Sequence, residues 1–208
     1  METVVQVAQG QLRGSVENGL HIFKGVPFAA PINGANRFRA PQPRESWSDV
    51  RDATQVGLIS RQAPLPPPFG SPLPEAGADC LNLNVWSPDV TGSLPVYVWI
   101  HGGAFYGGSS VEAVYDGASF ARNGVVCVTI NYRLGSQGFL HLADHFPELA
   151  ESGNAGLLDQ IAALKWVQQN IAAFGGDPSR VTIAGESAGG MSVSSLMSTS
   201  LAKGLFAQ

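Results

Sequence analysis

Hydrophobic and polar positions change rhythm along the chain, and each rhythm predicts a different kind of element. Residues 3–8 (TVVQVA), 11–16 (QLRGSV) and 21–26 (HIFKGV) read as short strands, broken at Gly10 and at Asn18-Gly19. Asn-Gly is a hairpin turn signal, so an antiparallel meander is expected at the start of a larger sheet. Residues 27–79 have little periodicity and are rich in Pro, Gly and Arg. Their extreme, the proline-rich run from Ala63 to Pro74, reads as a rigid surface loop rather than a polyproline ligand. From residue 81 the character changes. LNLNVW (81–86) alternates like a strand with one buried face. PVYVWI (95–100), VVCVTI (125–130) and RVTIAG (180–185) are nearly continuous apolar runs, which suit strands covered on both faces. Between the last two, Leu157, Ile161, Leu164, Val167 and Ile171 recur at three- and four-residue steps. They predict a helix over 155–173, with Asn154 as N-cap and Gly175-Gly176 as its stop.

Strand, helix, strand in that order implies right-handed crossovers, so the fold class is α/β: a mixed, mostly parallel sheet with helices on both faces and antiparallel N-terminal strands. No internal repeat or interior domain boundary is visible. With 208 residues, 44% hydrophobic and 13% charged, the chain can bury a sizeable core. A net charge of −4 argues against a nucleic acid or an anionic membrane as main partner. The start shows no secretory signal, and no apolar stretch is long enough to span a bilayer. Two cysteines, Cys80 and Cys127, make no disulfide framework, so a cytoplasmic location is expected.

The strongest chemical signal is Gly185-Glu186-Ser187-Ala188-Gly189, a G-x-S-x-G run. It follows an apolar strand and opens a helix-like segment, the setting of a nucleophile elbow, with Ser187 as the nucleophile. The turn is tight, so side chains two before and two after the serine would collide with neighbouring backbone. A second signal, His101-Gly102-Gly103-Ala104-Phe105, ends the strand 95–100. Acyl transfer builds negative charge on a carbonyl oxygen, and glycines let backbone N–H donors approach it closely. Gly102 and Gly103, with the amide of Ala188, would make a three-donor oxyanion hole.

With these motifs the chain resembles the type-B carboxylesterases, the α/β-hydrolase family that includes the cholinesterases. The matching stretches run in order: Phe23-Lys24-Gly25-Val26-Pro27-Phe28, the segment from Asp79 to Trp86, His101 to Phe105, Asn131 to Gly135, Gly156 to Gln160, Phe174 to Pro178, and Gly185 to Gly189. They span nearly the whole chain. The resemblance implies hydrolysis of small-molecule carboxylic esters through an acyl-serine at Ser187, with Gly102, Gly103 and Ala188 as the oxyanion hole. Serine acyl transfer needs no cofactor and no metal, so none is expected. Phe105, Tyr106 and the proline-rich loop would line a mainly apolar site.

Three departures from the family pattern stand out. Ala78 and Asn82 replace an acidic residue and a tyrosine. Secreted relatives pair the cysteine matching Cys80 with one about twenty residues upstream, where this chain has Ile59-Ser60-Arg61, so Cys80 should be free. Phe69-Gly70 occupies the loop where choline-hydrolysing members carry a tryptophan, which disfavours choline esters.

A serine hydroxyl also needs a base, and in this fold the order is serine, acid, histidine. After Ser187 there is no His, Asp or Glu; His21, His101, His141 and His145 all lie upstream. His101 belongs to the oxyanion motif. His141 and His145 lack a third ligand and read as exposed residues rather than a metal site. Glu186 is expected to be structural, and Asp159 and Asp177 to organise turns and helix ends. The expectation is therefore the N-terminal portion of a single α/β-hydrolase domain, residues 1–208, ending just after the elbow helix, with acid and histidine in further sequence. A catalytically inactive truncated or binding-only member of the same fold is the alternative. In the isolated polypeptide, the strand carrying the elbow should have an open edge, with apolar faces left uncovered.

Overall fold

The computed structural model describes residues 1–63 and 74–208. Most of the proline-rich run, and the Phe69-Gly70 loop, lie outside the described residues. The chain builds one sheet from β1 (Glu2–Val7), β2 (Gly10–Glu17), β3 (Leu20–Pro27), β4 (Arg51–Asp52), β5 (Asn82–Ser87), β6 (Leu94–Ile100), β7 (Val126–Ile130) and β8 (Gly176–Gly185). The strand order is β1-β2-β3-β5-β7-β6-β8, with β4 paired to β2. The run from β1 to β7 is antiparallel, whereas β7, β6 and β8 are mutually parallel. Asn18 (φ 51°) and Gly19 (φ 79°) are both left-handed, the conformation that an Asn-Gly hairpin demands.

The main helices are α1 (Ala118–Arg122), α2 (Gly135–Phe139), α3 (Ala155–Asn170) and α4 (Ala188–Ser198). α3 carries the expected stripe. Ile161, Leu164, Val167 and Ile171 are buried in one core with Val96, Val98, Val181 and Ile183, and Leu157 is half-buried. The helix runs on as a 3-10 turn to Phe174 and stops at left-handed Gly175 (φ 76°). Its start differs from expectation. Asn154 occupies the N-cap position, but its side chain makes no capping hydrogen bond, because the chain enters through a 3-10 turn, Ser152–Asn154.

On the other face α1 packs over a smaller cluster of Leu20, Ile22, Trp86, Ala121 and Cys127. Helices thus cover both faces, but unequally. β7 is buried throughout, whereas in β6 and β8 burial alternates: Val96, Val98, Ile100, Val181 and Ile183 are buried, and Tyr97, Trp99, Thr182 and Ala184 are only half covered. The outer edge of β8 is met by backbone from the last two residues, with Ile183 N–H donating to Gln208 C=O and Ala207 N–H to Val181 C=O, both at 2.8 Å. The elbow strand thus lies at the end of the sheet with a half-covered face, as expected, but its edge is partly paired by residues 207–208 rather than open.

β5 corrects the expectation of one buried face. All six residues are buried, Asn82 and Asn84 included. The polar positions are tolerated inside because they are bonded. The Asn84 amide donates to Ser110 Oγ and Thr129 Oγ1 and accepts from Gly25 N–H, while Asn82 donates to the Leu58 and Asp79 carbonyls. A second buried polar feature joins α3 to the segment after β7. Arg133 (1% exposed) and Asp159 (0%) form a bidentate pair at 2.6 and 2.7 Å, and the Arg133 amide also donates to the same carboxylate. Burial pushes the Asp159 carboxyl upward, opposed by these bonds from Arg133.

Candidate active site

β8 ends at Gly185 and α4 starts at Ala188, leaving two residues to reverse the chain. Ser187 takes φ 55° and ψ −119°, a conformation that L residues avoid and that typically costs on the order of 1–3 kcal/mol. The flanking glycines are sterically required. A Cβ on Gly185 would come 2.4 Å from the Gly189 carbonyl carbon, and one on Gly189 would come 2.0 Å from the Ile100 oxygen. The turn is closed by Gly189 N–H to Glu186 C=O (2.8 Å) and Met191 N–H to Ser187 C=O (3.0 Å). Ser187 is exposed at the N-terminus of an 11-residue helix, where backbone N–H groups favour negative charge. The expected strand–turn–helix is thus present, and it presents the serine to solvent.

The loop leaving β6 lies against this turn. A Cβ at Gly102 would sit 3.2 Å from Ser187 Cβ and 2.9 Å from the Glu186 carbonyl oxygen, so the α-carbon of Gly102 packs directly on the elbow. Gly103 (φ 108°), Ala104 (φ 53°) and Phe105 (φ 63°) are three successive left-handed residues. The two non-glycine members add strain of the same order as that at Ser187. Gly103 C=O accepts from the amides of Tyr106 (3.0 Å) and Gly107 (2.9 Å), and Gln62 grips Gly108 through both its amide and its carbonyl. Gly102 is buried, Gly103 half-buried and Ala104 exposed. Ala104 is the one non-glycine residue of the His101–Ala104 segment with a positive φ, a feature that the sequence alone does not disclose.

Phe105 is half-buried against Phe139 with ring centres 5.1 Å apart, and Tyr106 is 57% exposed. Among the described residues no side chain bonds to Ser187 Oγ. His101 is fully buried, stacked on Tyr132 with centroids 4.4 Å apart, and its Nδ1 lies 2.8 Å from the Gly102 carbonyl. Burial holds its imidazole down at about 4, opposed by that hydrogen bond; with the ring enclosed and its Nδ1 engaged by the Gly102 carbonyl, it makes no bond to Ser187 Oγ and is not placed to act as its base. His141 and His145 are exposed, with His141 Nε2 3.3 Å from Asp144. Among the described residues no group of three or more His, Cys, Asp or Glu could hold a metal ion. Asp177 caps its own turn by accepting from Ser179 and Arg180.

The cysteines offer no alternative nucleophile. Both are buried and free, and burial pushes the Cys80 thiol up to about 11 and that of Cys127 to about 12. Ser60, twenty residues upstream of Cys80, places its Oγ 3.6 Å from the sulfur.

A strained serine between two obligatory glycines faces a glycine-rich loop. The carboxylesterase family model matches residues 1–208. The chain belongs to the carboxylesterase family. It is 53% identical over 206 residues to the para-nitrobenzyl esterase of Bacillus subtilis, spanning 98% of this chain and 42% of that protein. It is 46% identical over 214 residues to a cocaine esterase of Oryctolagus cuniculus, spanning 95% of this chain and 39% of the relative. The structure superposes on the carboxylesterase EST55 of Geobacillus stearothermophilus with a TM-score of 0.92 and 47% identity, covering 99% of this chain and 43% of that one. The fold is that of the α/β-hydrolases, and this chain spans about two-fifths of the length of these relatives. Among the described residues, no helix is long and apolar enough to cross a membrane.

Proposed function

We propose that the chain carries the nucleophile and the oxyanion hole of a carboxylic ester hydrolase. Ser187 Oγ attacks the ester carbonyl, its proton passing to a base; the tetrahedral oxyanion collapses, expels the alcohol and leaves an acyl-serine, which water then hydrolyses. The amides of Gly102, Gly103 and Ala188 receive the oxyanion, with Ala104 the next donor on the same loop. The observation that carries this reading is Ser187 itself, exposed and held at φ 55° between two glycines that admit no Cβ. A fold retains such strain where it places a reacting atom.

The base and its orienting acid belong, in this reading, to further sequence. Support comes from the burial of His101, its Nδ1 tied to the Gly102 carbonyl, the lack of any partner for Ser187 Oγ among the described residues, and relatives more than twice as long. Small esters with apolar acyl groups are the substrate class favoured by half-buried Phe105 and exposed Tyr106 beside the loop. The buried, unpaired thiols suit a reducing, cytoplasmic setting. Hydrolysis of p-nitrophenyl acetate, butyrate and octanoate by the protein from its natural source tests the reading. Wild type should turn over and Ser187→Ala should not. Equal turnover by the two would mean that the serine is not the nucleophile.

A further inference from the structure

We propose that Tyr132 and His101 form a buried clamp that sets the direction of the donor amides in the 102–104 loop. This rests on the reading of that loop as the oxyanion hole and adds two positioning residues to it. A trans peptide unit holds its C=O and the following N–H antiparallel in one plane. Whatever fixes the carbonyl of one residue therefore aims the amide of the next.

Three successive carbonyls are fixed here. The Tyr132 hydroxyl donates to His101 C=O at 2.9 Å, which orients the unit bearing the Gly102 amide. His101 Nδ1 and Gly102 C=O are 2.8 Å apart; a carbonyl only accepts, so Nδ1 carries the proton, and the bond orients the unit bearing the Gly103 amide. Gly103 C=O is held by the Tyr106 and Gly107 amides, which orients the unit bearing the Ala104 amide. Two adjacent glycines offer no side chain to resist rotation of the intervening peptide, so the direction must come from these outer bonds.

The clamp is itself anchored. The rings of His101 and Tyr132 stack 20° from parallel, both are buried, and the Tyr132 carbonyl accepts from Ser60 Oγ at 2.5 Å. Burial pushes the Tyr132 phenol above its ordinary range, so it remains a donor. Core filling alone would explain the stack but not two polar atoms spent on consecutive loop carbonyls.

The test compares kcat and KM for p-nitrophenyl butyrate, and the thermal midpoint, in the protein from its natural source and in Tyr132→Phe, His101→Leu and His101→Asn. Removing an oxyanion donor outright typically lowers kcat by about 100- to 1000-fold, so misaiming one should lower it by roughly 10-fold or more with KM nearly unchanged. Tyr132→Phe keeps the ring and removes only the hydroxyl. At position 101, Asn puts an amide donor close to where Nδ1 stands and should recover most of the kcat that Leu loses. Full kcat in Tyr132→Phe, or equal losses in Leu and Asn at 101, would overturn the clamp. Should His101→Leu fail to fold, Tyr132→Phe decides alone. A wild-type protein that hydrolyses no ester and takes no fluorophosphonate overturns the esterase reading itself; an active wild type with equally active variants overturns only the clamp.

Discussion

Burial of His101 makes stability depend on pH in a defined window. The imidazole is fully enclosed and titrates at about 4, against 6.5 for an ordinary histidine, because desolvation disfavours the cation. Between those values the unfolded chain binds a proton that the folded chain refuses. Stability contributed by the neutral ring is therefore fully present above pH 6.5, falls as the pH drops towards 4, and is lost below it. The gap of roughly 2.5 pH units, at about 1.4 kcal/mol each, corresponds to a loss on the order of 3 kcal/mol. Urea unfolding at pH 7, 5.5 and 4.5 measures this directly, with His101→Asn as the reference because Asn does not titrate. The difference in stability between the two proteins should shift by about 2–3 kcal/mol in favour of the variant between pH 7 and 4.5. A difference independent of pH would mean that the ring is accessible to protons, and the enclosed, stacked arrangement would be wrong.

Other outcomes follow from single contacts. Asp159→Asn leaves a guanidinium buried without its counter-charge and should destabilise by about 3–5 kcal/mol in urea titration, whereas a paired Arg133→Met/Asp159→Leu replacement should recover most of the loss. Gly189→Ala should abolish cooperative unfolding, since its Cβ meets backbone at 2.0 Å, while Gly190→Ala, with no neighbour closer than 3.4 Å, should leave the thermal midpoint within a degree or two. Ser60→Cys should form a disulfide with Cys80 under oxidation, fall from three thiols to the single one of Cys127 by thiol titration in denaturant, and gain up to about 3 kcal/mol from closing the loop.

Much of the fold is legible in the sequence because its signals are local. Asn18-Gly19 specifies its own hairpin, and the apolar repeat from Ile161 to Ile171 specifies the face that α3 lays on the sheet. The elbow is legible for the same reason: the strand, the small residues and the helix are contiguous. The features that sequence reasoning misses all depend on partners far along the chain. Asn82 and Asn84 look like the solvent face of β5, yet both are buried, because Leu58, Ser110 and Thr129 satisfy their amides. Arg133 and Asp159 read as two ordinary charges until the fold brings them together. Tyr132 belongs to a recognisable motif, but its contact with the His101 carbonyl depends on how β6 and β7 align. The uneven cover of β6 and β8 is likewise invisible in runs that look uniformly apolar.

Whether Ser187 is an activated nucleophile is decided by intact-mass spectrometry with a fluorophosphonate on protein from its natural source. One adduct is expected, mapped to the peptide containing Ser187, on a species more than twice the length of this chain, and none in Ser187→Ala. A 208-residue species that takes no adduct would contradict this, because the serine would then be strained and exposed without a base to activate it.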